Sequence, residues 1–455
     1  MKISIPDYVK RIIDILEGAG YEAYAVGGCV RDTILGRCPD DWDITTSARP
    51  AEIKALFRRT VDTGIEHGTV TVLMGRHACE VTTYRIDGEY KDSRHPESVT
   101  FTGLLSEDLE RRDFTINAMA YNDREGIVDL HGGQADLENK VIRAVGDPAE
   151  RFNEDALRIM RAVRFAAQLG FEIEDGTKEA ASSLAENLRN ISAERIRTEL
   201  VKLIVSPNPD MLRMAYDMGI TGVILPEFDL AMETPQNNPH HMYSVGEHTL
   251  HAMSNISSDG YDEQTLTVLR LSMLFHDLGK PACKVTGGDG VDHFKGHPSA
   301  GKDIAFSVMR RLKFDNKTRD AVLSIVLYHD LRPEPTLPGV RKAVNLVGES
   351  TAELLADVQT ADIMAQSEYK RSEKLEKLAM TKTNYELIKA NHDPLFVRDL
   401  RIGGNDLISA GLAQGQLIGE VLNHLTGLVL EDPSLNERDS LLQLAKQYVS
   451  DHHEP

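Results

Sequence analysis

The chain has 455 residues, of which 41% are apolar and 27% charged, enough for two to four folded domains. Its formal net charge of −20 excludes a general nucleic-acid coat, which would carry a basic field, but leaves room for a local basic groove. Cys29, Cys38, Cys79 and Cys283 show neither C-x-x-C spacing nor a disulfide framework and read as reduced thiols. No signal peptide, lipidation motif or apolar run of about 18 residues is found, so a cytoplasmic location and no membrane partner are expected. The single tryptophan and low aromatic content suggest a largely helical protein after the first part.

Apolar residues at helical spacing (Val9, Ile12, Ile13, Leu16) predict an N-terminal helix from Ile5 to Gly18. Glu22 to Val26 reads as a buried strand and Gly27-Gly28 as a tight turn whose missing side chains let backbone amides approach a phosphate. Val30 to Arg37 is the helix that follows. Trp42 to Thr45 is a second strand carrying carboxylates. In a strand, Asp41 and Asp43 would point to one face about 6.5–7 Å apart along the backbone and could converge on a pair of divalent ions. Asp-x-Asp alone is common in turns; what strengthens it is a third acid. Glu80 lies in the alternating strand Ala78 to Arg85, joined through Met74-Gly-Arg-His77 to Thr69–Leu73, so a hairpin can present it beside the other two. Two hard cations bridging a triphosphate and a hydroxyl need such an all-oxygen cradle. This order of elements resembles the nucleotidyltransferase fold of the polymerase beta superfamily.

Thr46 to Pro50 offers caps and an early proline for a helix from Ala51 to Arg59. Ile86 to Leu105, polar and without a period, is read as a mobile loop used for gating or substrate switching. In Asp108 to Ala120, two adjacent arginines suit a triphosphate, because a guanidinium fork binds two oxygens at once. Arg112 is the candidate clamp, with Asp113 and Asn117 as its supports; a solvated helix start is the competing reading.

Arg151 to Phe165 is predicted as one helix with Asp155 and Arg158 on one face. A carboxylate can accept from an exocyclic amino group while a guanidinium donates to the neighbouring ring nitrogen. Such a pair would accept cytosine and adenine. Guanine and uracil would mismatch both contacts, at about 1–3 kcal/mol for each buried unsatisfied group. The alternative is a surface ion pair between Glu154 and Arg158.

Gly27 to Asp32, Asp41 to Asp43, Glu80 to Arg85, Arg111 to Ala118 and Glu154 to Arg158 follow one another within about the first 170 residues. Together they resemble the class II CCA-adding enzymes, tRNA nucleotidyltransferases that build CCA on tRNA 3′ ends without a template. The resemblance implies that Gly28 and Arg31 contact the nucleotide, that Asp41 and Asp43 bind Mg²⁺, and that Glu80 assists as a third catalytic acid. It also implies that Arg112, Arg161 and Arg164 hold phosphates or line the pocket, and that Asp155 with Arg158 reads the base. The implied substrates are CTP and ATP, and the implied partner is the tRNA 3′ end. An intact Asp87 to Pro96 between Glu80 and Arg111 favours addition of the terminal A as well as the C's. A-adding enzymes and poly(A) polymerases of the same family are the alternative.

Beyond Phe171, helices are expected over Thr177–Asn190, Ser192–Ser206 and Asp210–Gly219, by resemblance a neck, with Arg195 and Arg197 as candidate phosphate contacts or solvated helix residues. A second constellation follows: Glu247-His248, Phe275 to Lys280, Gly296-His297, Tyr328 to Asp330 and Ala361-Asp362. His276 and Asp277 at a helix end can aim two unlike ligands at one metal, with His248 and Asp362 completing four. His240, His241 and His251 compete with His248 for the first place. This pattern resembles the HD phosphohydrolase superfamily, which uses Mg²⁺ or a divalent transition metal, and His297 and His329 would allow a second ion. An RNA-end phosphohydrolase acting through this domain is therefore a further alternative. From about Arg371 no chemistry is seen, although Arg398 to Leu412 looks like a segment used for tRNA docking. The expected architecture is an α/β nucleotidyltransferase head over 1–145, then a mostly α-helical neck (146–230), HD domain (231–370) and tRNA-binding tail (371–455).

Overall fold

The computed structural model describes residues 2–87, 99–412 and 414–452. They form two compact units, Met1–Asp229 and Leu230–Pro455. The first unit contains nine strands relevant here: β1 (Ala23–Val26), β2 (Asp43–Thr46), β3 (Thr60–Gly64), β4 (Thr69–Met74), β5 (His77–Thr83), β6 (Arg85–Asp87), β7 (Val99–Phe101), β8 (Met119–Asn122) and β9 (Gly126–Asp129). Seven of them make one mixed sheet in the order β3-β4-β5-β2-β1-β8-β9. The N-terminal helix, Asp7–Gly18, buries the expected Val9, Ile12, Ile13 and Leu16. One sheet-borne cluster joins Tyr24, Val26 and Ala120 to Tyr84 and Leu109.

Pairing within the sheet is antiparallel except between β2 and β5, which run parallel with Asp43 opposite Glu80. The antiparallel register of β1 and β2, Ala25 opposite Ile44, brings the Gly27 turn to the Asp43 end of β2. Gly27 has φ 82°, a backbone that favours glycine, and caps the helix Gly28–Ile34. That helix starts two residues earlier than the sequence suggested, directly at the turn.

Three further expectations change. Asp41 lies two residues before β2, which begins at Asp43 rather than at Trp42. The ends of the segment read as a loop, Ile86 to Leu105, are partly structured: β6 and β7 pair antiparallel, Arg85 opposite Phe101. The stretch Asp87 to Pro96, on which addition of the terminal A was argued, lies outside the described residues apart from its first residue. Finally, the single helix expected over Arg151–Phe165 is two helices, Pro148–Glu154 and Leu157–Leu169, with Asp155 extended between them at φ −138°, ψ 101°. The cause is local. The Asp155 carboxylate accepts from the Leu157 amide at 3.1 Å and so competes with the helical ladder.

The second unit is almost entirely helical. Val245–Ser254, Glu263–Phe275, His297–Arg311, Asn316–Tyr328 and Glu349–Ala365 converge on one buried polar cluster, and Arg371–Asn391 follows. Val340 and Val344 pack with Tyr385, Ile388, Leu395 and Leu430, tying the last helices to those before them. Gln416–Glu431 and Arg438–His452 share a core around Leu407, Val421, Leu425 and Leu441. Among the described residues no helix is long and apolar enough to cross a membrane.

Candidate active sites

In the first unit the site forms where β1 ends and β2 begins. Asp43 and Glu80 are direct neighbours across the parallel pair, and Asp41 lies near enough for its charge to act on Asp43. Although Asp43 is an exposed residue, its carboxyl is pushed up to about 6. Partial desolvation is the largest cause, then repulsion from Glu80, while Arg112 pulls the other way and Asp41 adds to the rise. Crowded carboxylates that resist ionising together fit divalent cations, whose charge would relieve them. Arg112 spans this edge: its Nη1 lies 3.0 Å from where a Cβ on Gly27 would sit, and its buried Nε has no hydrogen-bond partner among the described residues. A side chain at position 27 would displace it.

Arg112 is supported differently from the expectation. Asp108, fully buried, accepts from Thr45 Oγ1 at 3.0 Å, Arg111 Nη2 at 2.7 Å and Arg112 Nη2 at 3.3 Å. Arg111 and Arg112 together outweigh burial and hold this carboxyl below its ordinary value. Asp113 and Asn117 serve other arginines. Arg31 Nη1 donates to Asn117 Oδ1 at 2.7 Å, Asn117 Nδ2 donates to Asp113 at 3.0 Å, and Arg161 donates twice to Asp113 Oδ2, at 2.8 and 2.6 Å. Arg164 donates to Glu199 at 2.8 Å. The guanidinium carbons of Arg31, Arg161 and Arg164 lie 5.0, 5.2 and 3.6 Å from the centre of the Phe165 ring. Gly28, in the turn, is 3.7 Å from Arg31 Nη2 by the same Cβ measure.

Asp155 and Arg158 are not brought together as a pair. Asp155 is taken by Arg195, at 2.6 and 3.2 Å. Arg158 is buried and donates to Glu154 at 2.6 Å and to the carbonyls of Arg151 and Arg111.

In the second unit six predicted ligands meet. His248 Nε2 lies 3.0 Å from Asp362 Oδ1 and 3.6 Å from Asp277 Oδ2, and His276 Nε2 lies 3.2 Å from Asp277 Oδ2. On the other side of Asp277, Oδ1 lies 3.4 Å from His297 Nε2 and 3.7 Å from His329 Nε2. Two groups, His248 with His276 and Asp277, and Asp277 with His297 and His329, each have ligand atoms within 4.8 Å of one another; the acids of the first unit form no such group among the described residues. His248 wins the place that His240, His241 and His251 contested. His251 instead lies on Tyr243, at 4.3 Å between ring centres.

The donor chemistry fits metal ions. Nδ1 of His276, His297 and His329 faces a backbone carbonyl at 2.6, 2.9 and 2.7 Å, which places the proton there and leaves Nε2 as a lone-pair donor. These lone pairs nevertheless face each other, His276 to His248 at 3.4 Å and His297 to His329 at 3.2 Å. Asp277 Oδ2 is buried, with Lys280 Nζ paired to it at 2.7 Å. Burial opposes ionisation of Asp277, but His276 and Lys280 hold it well below the usual range, and burial pushes His329 down to about 3. A close approach assembles the cluster: a Cβ on Gly279 would overlap the His297 carbonyl and the Gly301 amide, so glycine lets the His297 helix reach Asp277. Lys280 and Asp108 are the charged residues that sequence reasoning passed over. Both sit inside recognised motifs, and only their burial distinguishes them.

Backbone amides, an arginine and acids on neighbouring strands thus share one open edge in the first unit, the arrangement of a nucleotidyltransferase head. The family described as Poly A polymerase head domain matches residues 23–143, the probable RNA and SrmB-binding site of polymerase A matches 170–232, and the HD domain matches 240–367. A CCA-adding enzyme of Leuconostoc mesenteroides is 36% identical over 97% of this chain and 96% of its own. That of Lactiplantibacillus plantarum is 56% identical over 47% of this chain, which here spans about half of that relative (51%). The crystal structure of the Bacillus stearothermophilus CCA-adding enzyme in complex with CTP has 27% identity and a TM-score of 0.73, covering 98% of this chain and 99% of that one. The chain belongs to the CCA-adding enzyme family.

Proposed function

We propose that the protein adds CCA to tRNA 3′ ends from CTP and ATP, and that Asp41, Asp43 and Glu80 hold two Mg²⁺ ions while it does so. The observation that carries this reading is the side-by-side placement of Asp43 and Glu80 beneath an arginine that crosses the Gly27 turn. When bound, the ions would lower the pKa of the attacking 3′-hydroxyl and offset the charge of the departing pyrophosphate. The chain's own contribution is positioning. Gly27 and Gly28 admit phosphate oxygens to the helix N-terminus, Arg112 offers its unpartnered Nε, and Asp108 fixes the direction of Arg112. Arg31, Arg161 and Arg164 brace the pocket through Phe165. Asp155 reads the base with Arg158 only after it leaves Arg195. The test is incubation with tRNA transcripts ending in the discriminator base, C or CC, each with Mg²⁺ and one labelled nucleotide. Ordered addition of C, C and A with G and U refused is expected. Addition of A alone to CC ends would make the enzyme an A-adding specialist, and long A tails a poly(A) polymerase.

A second reading is favoured by the lone pairs converging on Asp277: the HD domain hydrolyses phosphate esters with one or two divalent ions held by His248, His276, Asp277 and Asp362, and by His297 and His329. Opening of 2′,3′-cyclic AMP to 2′- or 3′-AMP, or release of phosphate from p-nitrophenyl phosphate, in the presence of Mn²⁺, Co²⁺, Ni²⁺ or Mg²⁺ tests it, and neither reaction with any of the four would refute it.

A further inference from the structure

Beside the Asp277 cluster opens a cavity of about 950 Å³, within the range that takes a mononucleotide. One wall comes from the helix Arg371–Asn391, which lies beyond the residues matched by the HD domain, 240–367. Lys374 in its first turn is half-buried and lines the cavity with Asp277, His329 and Asp362. Its ammonium is held by two neutral groups, Gln366 Oε1 at 2.5 Å and His240 Nδ1 at 3.0 Å. Among the described residues it makes no ion pair with a carboxylate. Burial draws its pKa down, partly offset by the more distant Asp362.

A desolvated cation without a counter-charge is costly, and the cost falls when an anion arrives. The position of that anion is marked from a second side. Gln366 Nε2 donates to both oxygens of Asp362, at 3.1 and 3.2 Å, and Arg332 Nη2 lies 3.4 Å from Asp362 Oδ2. Lys374 and Arg332 therefore both stand within one residue of Asp362. Arg332 is already shared between Asp362 and Asp330, whereas Lys374 meets only neutral groups among the described residues.

We propose that Lys374, assisted by Arg332, binds the phosphate group of the HD domain's substrate. The identity of the anion rests on the phosphohydrolase reading; the anion site itself rests on Lys374. A helix outside the matched domain thus supplies substrate recognition to the HD centre.

The experiment is titration calorimetry of inorganic phosphate into the full-length, Mn²⁺-loaded protein, comparing wild type with Lys374→Gln and Lys374→Arg. Phosphate affinity should fall about tenfold in Lys374→Gln and return in Lys374→Arg, as expected for one charge-assisted contact. Equal affinity in Lys374→Gln, or no phosphate binding by wild type, overturns the proposal. KM and kcat for 2′,3′-cyclic AMP separate it from the reading beneath it. Hydrolysis with a KM indifferent to position 374 keeps the phosphohydrolase and sinks the Lys374 site. Lys374-dependent phosphate binding without hydrolysis does the reverse.

Discussion

The chain carries two clusters of acids prepared in opposite ways. In the first unit, Asp43 is pushed up to about 6, because partial burial and the neighbouring Glu80 and Asp41 charges resist its ionisation. In the second, Asp277 and Asp362 are more deeply buried, yet both are held below their ordinary range by the histidines and, for Asp277, Lys280 around them. The difference is one of who supplies the positive charge. The head leaves its acids under-compensated, and the proposed Mg²⁺ ions would supply the missing charge. The HD cluster surrounds its acids with nitrogen donors, which suits ions that stay.

The sharpest way to break this contrast is to remove one group from each cluster. Asp43→Asn should lower CCA addition by about 10³-fold or more, read as labelled CTP incorporation, while hydrolysis of 2′,3′-cyclic AMP continues. His276→Ala should abolish that hydrolysis and leave incorporation at the wild-type rate. If either substitution silences both activities in a protein that still folds by circular dichroism, the two sites are not chemically separate.

A smaller effect is expected at the base-reading position. Asp155→Ala should cut the preference for CTP over UTP by about 10- to 100-fold in kcat/KM, the value of one or two buried contacts. An unchanged ratio would return Asp155 to the role it has with Arg195, that of a helix-to-helix ion pair.

The smallest effect is on stability. Burial alone would raise the Asp113 carboxyl, but Arg161 and Asn117 hold it well below the ordinary value. A depressed folded-state pKa stabilises the protein above the unfolded value of about 3.9, and that stability is lost as pH falls below it. Asp113→Asn should cost about 2–4 kcal/mol at pH 7 in urea unfolding, and the difference from wild type should shrink between about pH 4 and pH 2. A gap that does not change with pH would mean that the hydrogen bond to Asn117, not the ion pair with Arg161, carries the contribution.

How much of this could be read from the sequence depends on distance along the chain. Asp43 and Glu80 were legible because each sits in a patterned strand, and the parallel register then set them side by side. The meeting of the HD residues was legible because paired residues such as His276-Asp277 fall at helix ends. The break at Asp155 was not, since no proline or glycine marks it and the cause is an aspartate bonding its own backbone. The hairpin β8–β9 and the buried role of Asp108 also went unread. Strands of four residues, and a six-residue helix with one buried acid before a basic pair, carry too little periodicity to announce themselves. Lys374 was invisible for a different reason. It opens a helix whose sequence looks like a solvated tail, and only folding brings it within one glutamine of Asp362.

Asp277 turns its two oxygens to different side chains, Oδ2 to His248, His276 and Lys280 and Oδ1 to His297 and His329. A residue that serves two positions couples their occupancies. Replacing Asp277 by asparagine should therefore weaken both proposed ion positions together, read as a loss of bound metal per chain larger than that caused by His297→Ala alone.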